Sequence, residues 1–250
     1  MMTLFKFDIM KPIFKKFNDL KEEDVNFNFH IHTNQTDGES TPEEIIEKAI
    51  GLNLEAIAFT EHVKKDSDWF DGFVAKIDNL KNNKKIKVFL GIETRALDYN
   101  GTLGATQNMI NKSDIVVGSV HRYPDSNGEP ISLLDIEKLG QVKSAEIEFK
   151  LAMGLLGNKE IDVLGHPFGV YSKSFGELPL KYLELLLVKS LDNKIAVEIN
   201  TKYMGRSDVF LNTLKKIDPY VSIGSDAHSK DELVRGFDLI KLFIEKHGRF

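Results

Sequence analysis

The chain alternates short apolar runs with longer stretches in which apolar residues recur at helical spacing. The short runs are rich in β-branched and aromatic residues, which predicts strands. Several runs are continuously apolar, as expected for parallel strands that are covered on both faces. The seven predicted strands are 27–32, 55–62, 86–93, 114–121, 161–166, 195–200 and 220–228.

Seven helical patterns accompany these strands. The first begins at "STPEEIIEKAIGLN", where Ser40 or Thr41 can cap the helix and Pro42 suits its first turn. The others lie near 69–82, 102–112, 132–157, 179–192, 207–217 and 230–246. Strands that alternate with helices in this way predict βαβ units and a parallel sheet, and therefore the α/β class.

The length of the chain suits a single barrel rather than several small domains. A chain of 250 residues is typical of one α/β barrel. No linker, repeat or shift of composition divides it. We therefore expect one barrel domain over residues 26–250, preceded by an N-terminal extension over residues 1–25 in which a helix would break at Pro12.

The stretch "NFNFHIHTNQTDG" places two histidines two positions apart on the first predicted strand. Side chains two apart on a strand share a face. We therefore expect His30 and His32 to point the same way, and Phe27, Phe29 and Ile31 to point the other way. Taken alone, this pattern fits a pair of metal ligands or two ordinary histidines beside a turn.

Six of the seven histidines lie at or just after the C-terminal end of a predicted strand, and only His247 does not. Three carboxylates, Asp37, Glu93 and Asp226, also lie at or near predicted strand ends. Taken alone, Asp37 is explained as a turn residue of "TDGES". The C-terminal ends of parallel strands form the functional face of α/β folds, so these side chains are expected to converge. The candidate metal ligands are His30, His32, Asp37, His62, Glu93, His121, His166, Asp226 and His228.

The chain contains no cysteine, so any metal must be held by nitrogen and oxygen atoms. Imidazole and carboxylate ligands suit zinc, manganese or iron. Nine donors exceed the needs of one ion and suit two or three. A lone histidine is usually a surface or core residue, but packing does not explain six of them at strand ends.

Charge and hydropathy narrow the class of partner. The formal net charge is −5 and the pI is about 5.8, with no basic stripe of the kind that nucleic-acid binders carry. No apolar run reaches the ~18 residues of a membrane span, and the N-terminus does not resemble a signal peptide. A cytoplasmic protein without a nucleic-acid or membrane partner is expected. The oligomeric state is not readable.

Several motifs together resemble the PHP superfamily (polymerase and histidinol phosphatase). They are "HIHTNQTDG", "FTEH", "GIE", "SVH", "GHP", "EIN" and "SDAH", in the order of that family between residues 28 and 228. The resemblance implies a distorted, TIM-like (β/α)7 barrel with a trinuclear centre. One departure is Glu61, since relatives often have aspartate before this histidine, and it affects only the surroundings of the ligands.

The resemblance also implies how the ligands divide among three ions, with Glu93 bridging the first two. The implied sets are His30, His32, Glu93 and Asp226 for the first ion, Glu93, His121 and His166 for the second, and Asp37, His62 and His228 for the third. Among these, Glu93, Asp226 and His228 are our candidates for catalytic residues.

A cluster of divalent ions suits phosphoester hydrolysis by a metal-bridging hydroxide. The expected substrate is the phosphate monoester of a small metabolite, such as histidinol phosphate or a sugar phosphate. Arg122 and Arg206 lie in strand-end loops and are candidates for binding the phosphate or a second anionic group of the substrate, although each also fits a solvated loop residue. Lys202 and Tyr203 are candidates to line the pocket.

Three alternatives stay open at this stage. Relatives include phosphotyrosine phosphatases and polymerase-associated exonucleases, and a metal-stabilised binding module without turnover is a third possibility.

Glu198 lies within the predicted strand that contains "AVEIN". Its side chain either orients metal ligands or Asn200, or forms a hydrogen bond in the barrel core.

Overall fold

Eight strands form one sheet in the computed structural model, which describes residues 11–125, 130–204 and 207–247. The order in the sheet is β1-β8-β7-β6-β5-β4-β3-β2, so each strand from β2 onward lies beside its neighbour in the chain. The strands are β1 (Lys15–Lys16), β2 (Phe27–Ile31), β3 (Ala56–His62), β4 (Lys87–Arg95), β5 (Ile115–Ser119), β6 (Val163–Leu164), β7 (Ala196–Asn200) and β8 (Tyr220–Gly224).

Helices connect these strands. Within the described residues, no helix is both long and apolar enough to cross a membrane. The α-helices are α1 (Pro42–Gly51), α2 (Phe70–Leu80), α3 (Gln107–Lys112), α4 (Leu133–Gly157), α5 (Gly169–Phe175), α6 (Leu180–Asn193), α7 (Ser207–Ile217) and α8 (Phe237–His247), and 3₁₀ helices span Phe17–Asp19, Glu22–Asn26 and Lys230–Glu232.

The sheet curls into a distorted barrel because its first and last parallel strands meet. Strands β2 to β8 pair in parallel, as the alternation of strands and helices predicted. Ile31 bridges Ala227 in parallel, and the His32 amide donates to the Ala227 carbonyl at 2.9 Å. At the N-terminal end of β8, the short β1 pairs antiparallel with it. The predicted seven parallel strands and the α/β barrel are therefore confirmed.

Strand β2 is irregular, and this corrects the predicted facing of its side chains. Asn28 lies beside Ile57 and Ile31 beside Phe59, so β2 uses three steps where β3 uses two. Phe29 packs edge-on against Phe89 inside the barrel, whereas Ile31 joins the outer core. Strict alternation is wrong here because a bulge places two consecutive residues on one face.

Apolar side chains fill the N-terminal half of the barrel. They come from β2 to β7, and Phe14, Phe27 and Tyr220 pack against them. A larger core lies between the strands and the surrounding helices. The polar donors therefore lie at the C-terminal end of the barrel, and apolar side chains line its N-terminal end. The inner apolar residues are Phe29, Ala56, Ala58, Phe89, Ile115, Val117, Val163 and Ala196.

Several connections differ from the sequence-based expectation. Residues 11–25 form β1 and two 3₁₀ helices instead of an α-helix. The last helical pattern breaks because Gly236 has a φ of 71°, and α4 contains a kink at Gly140, where φ is 75°. Such left-handed values suit glycine and interrupt a helix. Helix α5 was not predicted. It starts after Phe168, whose φ is 60°.

The cap of α1 decides between the two predicted capping residues. The Glu44 amide donates to Thr41 Oγ1 at 3.2 Å, and the Thr41 amide donates to the Glu44 carboxylate at 3.0 Å. This reciprocal pair is a capping box. Ser40 instead accepts a hydrogen bond from the Lys230 amide at 3.1 Å. Ser40 therefore ties the start of α1 to the segment that follows β8.

Two glycines of α4 offer a matched test of packing. A Cβ atom on Gly154 would lie 2.5 Å from the Tyr99 carbonyl oxygen and 2.7 Å from the Gly101 amide nitrogen, whereas one on Gly157 would have no atom within 4 Å. We expect Gly154→Ala to lower the free energy of unfolding by about 1–3 kcal/mol, because backbone must move. Gly157→Ala should change it by less than about 1 kcal/mol. Urea unfolding of both variants measures the difference, and equal effects would contradict this packing.

Candidate metal centre

All nine predicted metal ligands meet at the C-terminal end of the barrel. Short distances between neighbouring side chains join them into one connected cluster. His30, His62 and Glu93 lie within β2, β3 and β4, and the others follow the ends of strands. Convergence from separate strand ends explains why the donors are far apart in the sequence and close in space.

Glu93 is the centre of this cluster and is buried. One carboxylate oxygen, Oε1, lies 2.9 Å from His121 Nε2 and 3.0 Å from His166 Nε2. The other, Oε2, lies 2.9 Å from His62 Nδ1, 3.4 Å from His30 Nε2 and 3.5 Å from His32 Nε2. The two oxygens therefore face different histidines, which is the arrangement that a carboxylate bridging two ions requires.

Two aspartates complete the cluster on its other sides. Asp226 Oδ1 lies 3.1 Å from His32 Nε2 and 3.7 Å from His228 Nδ1. Asp37 Oδ2 lies 3.4 Å from both His62 Nε2 and His228 Nε2. Asp226 adopts a left-handed φ of 50°. Backbone conformations that are costly for residues other than glycine concentrate at functional sites.

Two imidazole nitrogens in this cluster face each other, and some buried polar atoms have no hydrogen-bond partner. The Nε2 atoms of His30 and His32 are 3.1 Å apart. Among the described residues, the buried atoms that lack a hydrogen-bond partner include His32 Nδ1, Glu93 Oε2 and His166 Nδ1. Buried polar atoms are normally satisfied, and Glu93 Oε2 lies within 3.5 Å of three histidine nitrogens, so this unsatisfied oxygen fits a bound cation. The donor set therefore fits divalent metal ions.

Three compact groups of donors are each small enough to hold an ion, with ligand atoms within 4.8 Å of one another. The groups overlap in His32 and His62, whereas the division implied by the family uses each of these residues once. The groups are His30, His32 and Asp226; His32, His62 and His228; and His62, Glu93 and His121.

Burial and neighbouring charges shift the pKa values of the side chains in the cluster. Burial would raise the pKa of Glu93, but His121 and His30 hold it well below its usual range. Burial would lower the pKa of His62, but Asp37 and Glu93 raise it to about 10. Burial lowers the pKa of His32 to about 4. The carboxylates therefore attract positive charge into a buried space, and His32 presents neutral nitrogen atoms.

Glu198, on β7, supports two of the ligands from behind. Its Oε1 lies 2.7 Å from His30 Nδ1, and its Oε2 accepts the His166 backbone amide at 2.7 Å. A proton held on Nδ1 leaves His30 Nε2 free to bind a metal. A Cβ atom at position 224 would overlap Glu198, so Gly224 leaves room for it. Of the two sequence-based readings of Glu198, the structure supports the one in which it orients ligands.

Glu61 fixes the turn that carries Asp37. Its carboxylate accepts the Thr33 amide at 2.8 Å and a short hydrogen bond from the Thr36 hydroxyl. Burial raises the pKa of Glu61 to about 7. The longer glutamate side chain, which departs from the family pattern, therefore reaches the turn after β2 instead of the cluster.

The two arginines proposed as phosphate ligands have different outcomes. Arg122, which directly follows His121, is exposed and lines a small pocket with Arg95, Tyr123 and Pro124. Arg206 lies outside the described residues. The structure thus leaves both assignments as proposals.

Lys202 and Tyr203 lie next to Asp226. The ammonium of Lys202 is 3.0 Å from Asp226 Oδ2, and the Tyr203 ring is 4.9 Å from the His166 ring. Burial, together with the neighbouring carboxylate of Asp226, raises the pKa of Tyr203, which therefore remains a neutral phenol. Both residues line the site, as the sequence suggested.

Comparisons with known proteins agree with this geometry. The model of the PHP domain matches residues 28–202. A probable histidinol-phosphatase of Clostridium acetobutylicum is 30% identical over 84% of this chain and 89% of its own. A probable phosphatase of Caldicellulosiruptor saccharolyticus is 26% identical over 83% of this chain and 81% of its own.

A solved structure supports the fold. The histidinol phosphate phosphatase of Lactococcus lactis, crystallised with zinc, L-histidinol and phosphate, superimposes with a TM-score of 0.65 at 18% identity. The superposition covers 88% of this chain and 92% of that one. At 18% identity, this similarity is evidence for the barrel fold alone.

Proposed function

The chain belongs to the PHP domain family, and on that premise we propose that it is a metal-dependent phosphatase that hydrolyses the phosphate monoester of a small metabolite. The observation that carries this proposal is the Glu93 carboxylate, whose two oxygens face five histidines in a buried space. Residues 26–250 form the catalytic unit in this proposal.

Three divalent ions, of zinc, manganese or iron, are part of the proposal. His30, His32, Glu93 and Asp226 would hold the first. Glu93, His121 and His166 would hold the second, and Asp37, His62 and His228 the third. Bound divalent ions activate water and neutralise the charge of phosphate oxygens. Glu93 Oε2, which is buried without a hydrogen-bond partner and lies within 3.5 Å of three histidine nitrogens, supports this assignment.

The exposed side of the cluster suggests where the substrate enters. His30, His32 and Glu93 are at most 1% exposed, whereas the side chains of His62 and Asp37 are 34% and 53% exposed. A phosphate that arrives from solvent therefore meets the side formed by Asp37, His62, His121 and His228. Glu93, Asp226 and His228 are the proposed catalytic residues.

A histidinol-phosphate-like or sugar-phosphate substrate is favoured. The Clostridium relative is named a probable histidinol-phosphatase, and the Lactococcus protein was crystallised with L-histidinol and phosphate. Arg122, which follows His121 directly, is proposed to contact the distal part of such a substrate. Arg206 keeps the same proposed role from the sequence alone.

A panel of phosphoesters tests the proposal. The protein, loaded with manganese or zinc, is assayed on p-nitrophenyl phosphate, histidinol phosphate, sugar phosphates, a phosphotyrosine peptide and single-stranded DNA. We expect release of inorganic phosphate from the small monoesters, loss of this activity after chelation and recovery after metal is restored. Preference for the peptide or DNA would favour the alternative PHP activities, and metal binding without any hydrolysis would indicate a binding module.

A further inference from the structure

Lys202 holds a position that the metal cluster alone does not explain. Its ammonium lies 3.0 Å from Asp226 Oδ2 and 3.5 Å from the Asp226 carbonyl oxygen. Among the described lysines and arginines, it is the only one that forms an ion pair with one of the nine candidate ligands. A cation at this point competes with a metal ion for the same carboxylate.

The two oxygens of Asp226 separate these two roles. Oδ1 faces His32, at 3.1 Å, and therefore the candidate ions, whereas Oδ2 faces Lys202. Lys202 thus approaches from the rim of the cluster. Its backbone amide donates to Asn200 Oδ1 at 3.1 Å, which anchors the start of the loop after β7. The side chain is 30% exposed. An anchored backbone and a flexible four-carbon stem let the ammonium move while the loop stays in place.

Electrostatics determine what the ammonium does once ions are bound. Asp226 then shares its negative charge with a divalent cation, and the attraction that holds Lys202 falls. A divalent ion on one side of this carboxylate repels the ammonium on the other and weakens the ion pair. A phosphate dianion at the ions would offer the ammonium a stronger anionic partner. Neighbouring Tyr203 adds an aromatic face, with its ring centroid 5.3 Å from the Lys202 ammonium.

We propose that Lys202 is a substrate-binding residue whose ammonium leaves Asp226 and binds a phosphate oxygen when the loaded site takes up its substrate. This inference rests on the proposed phosphatase function and assigns a phosphate ligand that is in direct contact with a candidate metal ligand. The observation that carries it is the ion pair with the outer oxygen of a candidate metal ligand.

Three variants test the proposal: Lys202→Met, Lys202→Arg and, as a control, Lys216→Met. Lys216, on α7, pairs with Glu184 on the exposed surface at 2.7 Å and matches the change of charge. Three quantities are measured in the loaded proteins. They are the affinity for inorganic phosphate by calorimetry, the affinity for the metal by competition with a chelator, and the KM for p-nitrophenyl phosphate.

We expect Lys202→Met to weaken phosphate binding and raise KM by about 10- to 100-fold, the range for loss of a charged hydrogen bond. Metal affinity should stay equal or increase, because a competing cation is gone. Lys202→Arg should recover part of the phosphate affinity, and Lys216→Met should match the wild type. Unchanged phosphate affinity in Lys202→Met, whether metal affinity rises or falls, would overturn the proposal.

The calorimetry separates this inference from the proposed function. If the wild type hydrolyses none of the esters but binds inorganic phosphate in a Lys202-dependent manner, the phosphate site stands and the phosphatase function fails. If the wild type hydrolyses esters and Lys202→Met binds phosphate equally well, the phosphatase function stands and the role of Lys202 fails.

Discussion

Glu93→Gln is expected to abolish phosphatase activity and to remove metal from the protein. The glutamine keeps the size of the side chain but loses the charge that faces five histidines. We expect a fall in turnover of at least about 10³-fold, because several kcal/mol of transition-state stabilisation depend on bound ions. His32→Ala, which removes a fully buried donor, should have an effect of the same kind. Elemental analysis of the purified proteins measures the metal, and a coupled phosphate assay measures turnover.

Glu148→Gln is a matched control for this experiment. Glu148 is also a buried glutamate, but its carboxylate accepts hydrogen bonds from Tyr123 and Tyr171. Its neutralisation should leave metal content and turnover close to those of the wild type. The role of Glu93 would be refuted by a Glu93→Gln protein that lacks metal and retains full activity.

The sequence was sufficient to predict the barrel and the position of its candidate centre. Parallel strands bring their C-terminal ends together, so a histidine or carboxylate at each predicted strand end must lie near the others. His121 and Glu93 are 28 positions apart in the sequence, yet their side-chain atoms come within 2.9 Å. Strand periodicity and the position of strand ends thus predicted the parallel sheet and the convergence of the donors, and the resemblance to the PHP superfamily implied the distorted barrel.

The features that escaped prediction depend on irregular backbone and on contacts between distant elements. The bulge in β2 places both Phe29 and His30 inside the barrel, and no local pattern marks it. The pairing of Glu198 with His30 depends on the register of β7 and on the space at Gly224. Lys202, in the loop after β7, contacts Asp226, which follows the end of β8. Such contacts are properties of the assembled sheet.

Glu148 illustrates a second kind of hidden feature, a buried carboxylate that joins the loop after β5 to helix α5. It lies on α4, and its Oε2 accepts the Tyr123 hydroxyl at 2.5 Å and the Tyr171 amide at 2.8 Å. Tyr123 follows His121 by two positions, and Tyr171 lies in the segment after His166. The other carboxylate oxygen of Glu148, Oε1, is buried without a hydrogen-bond partner. Burial raises the pKa of Glu148 to about 7 from a usual value near 4.5.

Glu148 should make the protein less stable as the pH rises. Between about pH 4.5 and 7, the unfolded chain releases the proton while the native state keeps it, so the free energy of unfolding falls. It levels off above about pH 7, after a loss of about 3 kcal/mol. Glutamine places an amide at the unpartnered Oε1 and keeps the acceptor for both tyrosines, so it resembles the protonated acid. Glu148→Gln should therefore equal the wild type near pH 4.5 and exceed its stability by about 3 kcal/mol at pH 8.

Glu148→Leu separates the charge of this carboxylate from its hydrogen bonds. Leucine removes the charge as glutamine does, but it leaves the Tyr123 hydroxyl and the Tyr171 amide without their acceptor. It should therefore be less stable than Glu148→Gln by about 2–4 kcal/mol at every pH, the cost of two unsatisfied buried donors. Urea unfolding at pH 5, 6, 7 and 8 measures all three proteins. A wild type whose difference from Glu148→Gln stays constant over this range would show that Glu148 is ionised in the native state, and that its charge is stabilised by groups other than the two tyrosines.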